Sequence, residues 1–196
     1  VNFLSGNKII DIASGPGYGT ALLSKHSNTR VVGLDIDEKT IEASKKNYGF
    51  LCDFYQINGY DWPFESNQVD CIVSLETFEH LDNPDKFLTE AYRVLKTGGK
   101  LILSTPLNET NSRYKPENPY HLREYTWNEL GDKISKHFTI VERFSQISKI
   151  GELNSSVDNS KLKFIKRIIP SKIKFLIIKL LHKSSLKAGS IIKGKK

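Results

Sequence analysis

The chain has 196 residues, 38% of them apolar and 26% charged. That composition supports one domain with a sizeable core and excludes a disordered or fibrous chain. The net charge of +7 is divided: residues 161–196 hold twelve Lys or Arg and no Asp or Glu, which leaves 17 basic and 22 acidic residues, a net of −5, in residues 1–160.

In chain order, residues 8–13 are short, apolar and followed at once by glycines, which predicts a buried strand. Residues 18–26 suit a helix through Ala21, Leu22 and Leu23. Residues 30–35 predict a second buried strand, and Asp35 or Asp37 can cap the helix that continues through Ile41 and Ala43. Residues 53–57 make a weaker third strand, and 69–74 a β-branched fourth. From Asp82 to Leu95 the positions Phe87, Leu88, Ala91 and Leu95 fall at helical spacing, with Pro84 in the first turn and Thr97-Gly98-Gly99 as the stop. Residues 100–104 predict a fifth strand, 105–125 a long polar loop, 126–137 a helix and 138–144 a sixth strand. Alternating strands and helices mean βαβ units: an α/β, doubly wound, mostly parallel sheet in three layers, with the ligand crevice at the C-terminal strand ends.

The first strand runs into Gly15, Gly17 and Gly19, and Asp35 ends the second strand. Glycines there permit a tight turn and close approach of a ligand to the backbone, and a carboxylate at that place can accept from both hydroxyls of a ribose. Alone, the glycine cluster reads equally well as an ordinary tight turn; together the two features predict a nucleoside site. The dinucleotide pattern G-x-G-x-x-G fails, because its third position falls on Thr20. Tyr92-x-x-x-Lys96 has the spacing of a dehydrogenase pair, but a Lys near a helix end also serves the helix dipole. An NAD-dependent oxidoreductase is therefore the second enzyme reading.

Five ordered stretches carry a resemblance: DIASGPGYG at 11–19, VVGLDID at 31–37, NGYDWPF at 58–64, VDCIVSLETFEHL at 69–81 and RVLKTGGKLILSTP at 93–106. From Ile9 to about Phe144 the chain resembles a class I S-adenosylmethionine-dependent methyltransferase of the type 11 group. The resemblance implies a Rossmann-like fold, S-adenosyl-L-methionine as cofactor, and methyl transfer by in-line displacement. It implies that Asp11 and the backbone from Ala13 through Gly15 to Gly17 hold the methionine end, that Asp35 holds the ribose, and that Ile36 packs on the adenine. Asn58 and Gly59 fall where the family places an Asp-small pair at the adenine amino group, and Ala13 where a glycine is common. Ser74 and Leu75 are expected beside the sulfonium. His80 and His121 are the candidate general bases; an edge-of-core or helix-capping histidine is the plainer reading of each. The Asn-Pro-Pro-Tyr motif of adenine amino methyltransferases is absent. Sequences that resemble this one around Tyr120-His-Leu-Arg-Glu-Tyr125 are associated with surface polysaccharides, which implies a small-molecule, sugar or lipid-linked acceptor.

Residues 1–150 are expected to form the cofactor-binding domain and 151–196 a basic amphipathic tail. Ile173, Leu176, Ile177 and Leu180 fall on one helical face with lysines interleaved. Such a segment fits an anionic membrane surface, or equally a helix packed on the domain with a solvated lysine face; nucleic acid ranks third, because Arg and aromatics are scarce. A non-catalytic membrane-associated module with this fold is the third functional reading. No stretch approaches the ~18 to 20 uncharged apolar residues of a membrane span, and VNFLSGNKII is not a secretory signal by composition. Two cysteines, Cys52 and Cys71, make no disulfide framework, so a reducing, cytoplasmic setting is expected. The absence of Met and the short lead before Asp11 suggest a fragment without the lid helices, and a seventh strand is not evident after residue 150.

Overall fold

Short apolar runs bounded by glycine and polar turns become strands. In a computed structural model, which describes residues 4, 6–108, 116, 118–145 and 176–182, they are β1 (Ile9–Ile12), β2 (Val32–Asp35), β3 (Asp53–Gln56), β4 (Val69–Leu75), β5 (Leu95–Thr105), β6 (Phe138–Ser145) and β7 (Leu176–His182). The helices are α1 (Tyr18–Ser27), α2 (Glu38–Tyr48), α3 (Pro84–Val94) and α4 (Trp127–Ser135), with a 3-10 turn at Phe78–His80. The sheet order is β3-β2-β1-β4-β5-β7-β6. The first five strands run parallel, and β7 is antiparallel to both β5 and β6. Strand order reverses between β1 and β4, so the crevice beyond their C-terminal ends is the topological switch point.

Alternation along each strand feeds two faces. Ile10, Ile12, Ile72, Leu101 and Leu103 point into the main core with Phe87, Leu88, Ala91 and Val94 of α3 and Leu130 and Ile134 of α4. Ile9, Cys71, Val73 and Ile102 face the other way, where Leu23 of α1 packs. Ala21 and Ile41 close α1 and α2 over Cys52 and Phe54. Each fully buried Leu, Ile or Phe contributes roughly 1.5 to 3 kcal/mol of transfer free energy, so the two faces together fix the sheet.

Local chemistry sets the helix starts. Asp37 caps α2 by accepting from Thr40 N at 2.9 Å. Asn83, rather than Asp82, caps α3: its Oδ1 accepts from Lys86 N at 3.0 Å, while Asp82 accepts from the Tyr60 hydroxyl. Thr126 and Glu129 form a reciprocal capping box on α4.

Two expectations are corrected. Gly98-Gly99 does not stop α3, which ends at Val94; Leu95 is already fully buried and paired with Val69. The glycines instead lie where the β4–β5 register shifts between Val69 and Cys71, with Gly98 at φ +79°. The segment 171–183 is not a continuous amphipathic helix: residues 176–182 form β7, and they supply the seventh strand. The physical reason is position. A strand with a neighbour on each side reads as an apolar run, and a run as short as Leu-Ile-Ile-Lys-Leu-Leu satisfies helical spacing equally well. The sheet therefore spans both expected units, 1–150 and 151–196. Residues 161–175 and 183–196, the rest of the basic tail, lie outside the described residues. Among the described residues, no helix is long and apolar enough to cross a membrane.

Candidate active site

The turn after β1 is built from left-handed residues: Ala13 has φ +57°, Gly15 +51° and Gly17 +82°. It is tied to β2 by Ser14 N donating to Leu34 O at 3.0 Å, and to α2 by Ser44 Oγ donating to Gly15 O at 3.0 Å. The glycines do different work. A Cβ at Gly17 would lie 2.9 Å from the Phe54 ring, and one at Gly33 would lie 2.6 Å from it, so both are glycine for packing. A Cβ at Gly15 would meet nothing within 4 Å; that backbone is open to a ligand. Gly59, at φ +61°, is open in the same way, beside the exposed Asn58, whose strand-like bridge to Asp61 makes the bend.

Asp35 turns toward the glycine turn. Its Oδ2 accepts from Gly15 N at 2.8 Å and its Oδ1 from Asp37 N at 3.0 Å, which locks the carboxylate at the crevice while leaving lone pairs for a diol. The next residue, Ile36, is 67% exposed, a large apolar side chain standing at the same edge. Asp11, at the end of β1, is buried and accepts from Thr20 Oγ1 at 2.7 Å. Burial pushes its carboxyl up to about 7; the Thr20 hydroxyl opposes this, and the nearby Asp35 charge adds to it.

Across the switch point, Ser74 is fully buried and Leu75 half-buried at the end of β4. The hydroxyls of Ser14 and Ser74 are buried and have no hydrogen-bond partner among the described residues. Two orphaned hydroxyls at the ends of β1 and β4 mark a place that a polar ligand completes. Glu76 has φ +53°, a strained backbone at the crevice edge. Ser104 Oγ donates to its carboxylate at 2.7 Å, and burial raises its carboxyl to about 7 against that bond, with the Glu79 charge adding to the rise.

The structure brings His80 and His121 together, ring centroids 5.0 Å apart and edge to face. Leu122 N and Arg123 N both donate to Glu79 O, at 2.9 and 3.2 Å, and fold the loop after β5 onto the 3-10 turn. Glu76 and Glu79 were not among the sequence candidates. Their signal was present: two carboxylates directly after a buried strand, at a sheet's C-terminal edge. By contrast, the Tyr92–Lys96 pair lies away from the crevice. Lys96 is in β5 and bonds Asp70 at 2.8 Å, and Asp70 also accepts from Asn7 and Lys8, at the opposite edge of the parallel strands. A cavity of about 420 Å³ lies among Leu81, Asn83, Arg123, Tyr125 and Lys133; none of its lining comes from the glycine turn or Asp35, so it is not the nucleoside site.

An open glycine turn, a fixed carboxylate one strand over and a switch-point crevice mark a doubly wound α/β domain. The methyltransferase domain family model matches residues 10–103. A protein of Mycolicibacterium smegmatis named "Probable S-adenosylmethionine-dependent methyltransferase" is 35% identical over 132 residues, 66% of this chain and 51% of that one. The ubiquinone/menaquinone biosynthesis C-methyltransferase of Escherichia coli O1:K1 is 31% identical over 127 residues, 60% of this chain and 51% of that one. The fold superposes on geranyl diphosphate C-methyltransferase of Streptomyces coelicolor, solved with Mg²⁺, geranyl diphosphate and S-adenosyl-L-homocysteine, with a TM-score of 0.68 at 14% identity, covering 90% of this chain and 73% of that one. Residues 10–103 carry a methyltransferase domain similar to that of the class I S-adenosylmethionine-dependent enzymes. The chain spans about half the length of the curated relatives it matches.

Proposed function

We propose that this chain transfers a methyl group from S-adenosylmethionine to a small-molecule acceptor, with an acceptor carrying a lipid or sugar group as the finer reading. The observation that carries the proposal is the Asp35 carboxylate, held against a glycine turn whose Gly15 face is open. The residues fit the cofactor: Asp35 would take the ribose, Ile36 the adenine face and Asn58–Gly59 the adenine edge. Asp11 and the turn from Ala13 to Gly17 would take the methionine end, and Ser74 and Leu75 would border the sulfur. Bound there, the cofactor supplies a methyl group already activated on a sulfonium. What the protein adds is position: holding two reacting atoms in line at near-attack distance accounts for roughly 7 to 11 kcal/mol of a barrier. His80 and His121, whose rings lie 5.0 Å apart, are the polar side chains proposed to meet the acceptor. Relatives named for quinone and geranyl diphosphate methylation support a lipophilic acceptor.

Calorimetric titration tests the cofactor assignment. S-adenosylhomocysteine is expected to bind and NAD not to. Asp35→Ala is expected to weaken binding by about 10- to 100-fold, the worth of hydrogen bonds to a charged group. Because Asp35 also holds Gly15, Asp35→Asn is the companion variant, which keeps one accepting oxygen and is expected to lose less. Heat with NAD and none with S-adenosylhomocysteine would overturn the assignment. Labelled methyl transfer into extracts, with Asp35→Ala as the control, then identifies the acceptor.

A further inference from the structure

Beyond the cofactor crevice, three potential ligand side chains converge where the loop after β5 meets the 3-10 turn. One ligand atom from each of Glu79, His80 and His121 lies within 4.8 Å of the others, and among the described residues no other set of His, Cys, Asp or Glu does this. Glu79 Oε1 stands 3.8 Å from His80 Nε2. A metal bonded at ~2.0 to 2.2 Å to nitrogen and oxygen donors needs them about 3 to 4.4 Å apart, so the set closes with sub-ångström to ångström shifts.

The outer partners are the stronger observation. His80 Nδ1 lies 2.8 Å from Tyr120 O, and a carbonyl only accepts, so Nδ1 carries the proton and the Nε2 lone pair faces Glu79. His121 Nδ1 lies 2.8 Å from the Glu124 carboxylate, which fixes the same tautomer. Glu79 Oε2 accepts from Thr105 Oγ1 at 3.0 Å, leaving Oε1 toward the imidazoles. Ligating histidines characteristically donate the other ring N–H to a carbonyl or carboxylate, and ligating carboxylates are themselves hydrogen-bonded. All three side chains here are oriented in that way. The His80 Nε2 and a Glu79 carboxylate oxygen face one another at 3.8 Å, a contact that a proton or a metal cation between them makes favourable. Asn118 Nδ2 satisfies His121 Nε2 at 2.8 Å, and that exposed amide is the group a cation would displace. The loop needs no imidazole to hold it, since Leu122 N and Arg123 N already anchor it to Glu79 O.

We propose that Glu79, His80 and His121 bind a divalent first-row transition-metal ion whose open coordination positions receive an oxygen of the methyl acceptor. Two imidazoles and one carboxylate suit zinc, cobalt, iron(II) or manganese better than the hard cations calcium and magnesium. The role toward the acceptor rests on the methyl-transfer reading; the binding of metal does not.

The test uses the full chain, stripped by chelator and titrated with Co²⁺ by its visible absorption, then with Zn²⁺ by calorimetry. One equivalent is expected to bind. His80→Ala, His121→Ala and Glu79→Gln are each expected to weaken it more than about 100-fold, since loss of an outer partner alone costs 10- to 100-fold. Thermal unfolding and S-adenosylhomocysteine binding are measured on the same variants, so a misfolded variant is recognised. Should a variant misfold, Asn118→Ala gives the second reading and is expected to bind metal at least as tightly as the parent chain. No uptake by the parent chain, or equal uptake by the His80→Ala/His121→Ala double variant, overturns the site. S-adenosylhomocysteine binding without metal would sink this inference alone, and metal without S-adenosylhomocysteine would sink the methyl-transfer reading alone.

Discussion

Asp11 makes the stability of the folded chain depend on pH. Its carboxyl is raised from 3.8 to about 7 by burial, so between those values the folded chain holds a proton that the unfolded chain has released. The sign follows: this group's contribution to stability is fully present below pH 3.8 and is lost as pH rises toward 7. Urea unfolding of the unliganded chain should show stability falling through that window, with the fall shallower in Asp11→Asn. Glu76, raised by burial to about 7 in the same direction, keeps the slope from vanishing. Cofactor binding should run the opposite way. If the ionised carboxylate meets the methionine ammonium, affinity for S-adenosylhomocysteine rises by about tenfold from pH 6 to pH 8, following the ionised fraction. In Asp11→Asn that dependence should be flat.

Ala13 is the neighbouring case of local conformation against residue type. Its φ of +57° is left-handed, which costs an L-residue about 1 to 2 kcal/mol, and glycine's larger unfolded entropy returns roughly half of that. Ala13→Gly should therefore raise the thermal midpoint by about 1 to 3 °C in a scanning calorimeter. The turn needs the angle, whatever the side chain.

At the scale of elements, β7 is the decisive strand. Ile178 pairs with Leu103 of β5 on one side and Arg143 of β6 on the other, so its backbone has no edge free. Ile178→Pro removes a donor from a strand with neighbours on both sides and should cost roughly 1 to 3 kcal/mol, the worth of an unsatisfied buried backbone group. Chemical unfolding would read this as a lower midpoint, and an unchanged midpoint would argue against the β5–β7–β6 pairing. The loop after β5 and the 3-10 turn form the other pairing of consequence, because backbone bonds to Glu79 O join residues some forty positions apart and set His121 beside His80.

At the scale of the whole molecule, the sequence made one half of the architecture readable and hid the other. β1, β2, β4 and β5 are covered on both faces, so they stand out as brief apolar runs cut off by Gly or charge. The glycine turn and Asp35 were readable because a ligand-facing backbone requires particular residue types. β7 was not, since its lysine-spaced apolar run fits two periods at once. Nor was the convergence of Glu79, His80 and His121, which depends on main-chain bonds that leave no mark on residue type. The orphaned Ser14 and Ser74 hydroxyls were hidden for a related reason: a serine in a strand end looks ordinary until the space around it is known.

The strand order has a kinetic corollary. Among the described strands β6 pairs with the sheet through β7, yet β7 is made some thirty residues later along the chain. During synthesis the β5–β7 and β6–β7 ladders cannot form until residues 176–182 emerge. The last strand made among those described therefore enters the interior of the sheet rather than its rim.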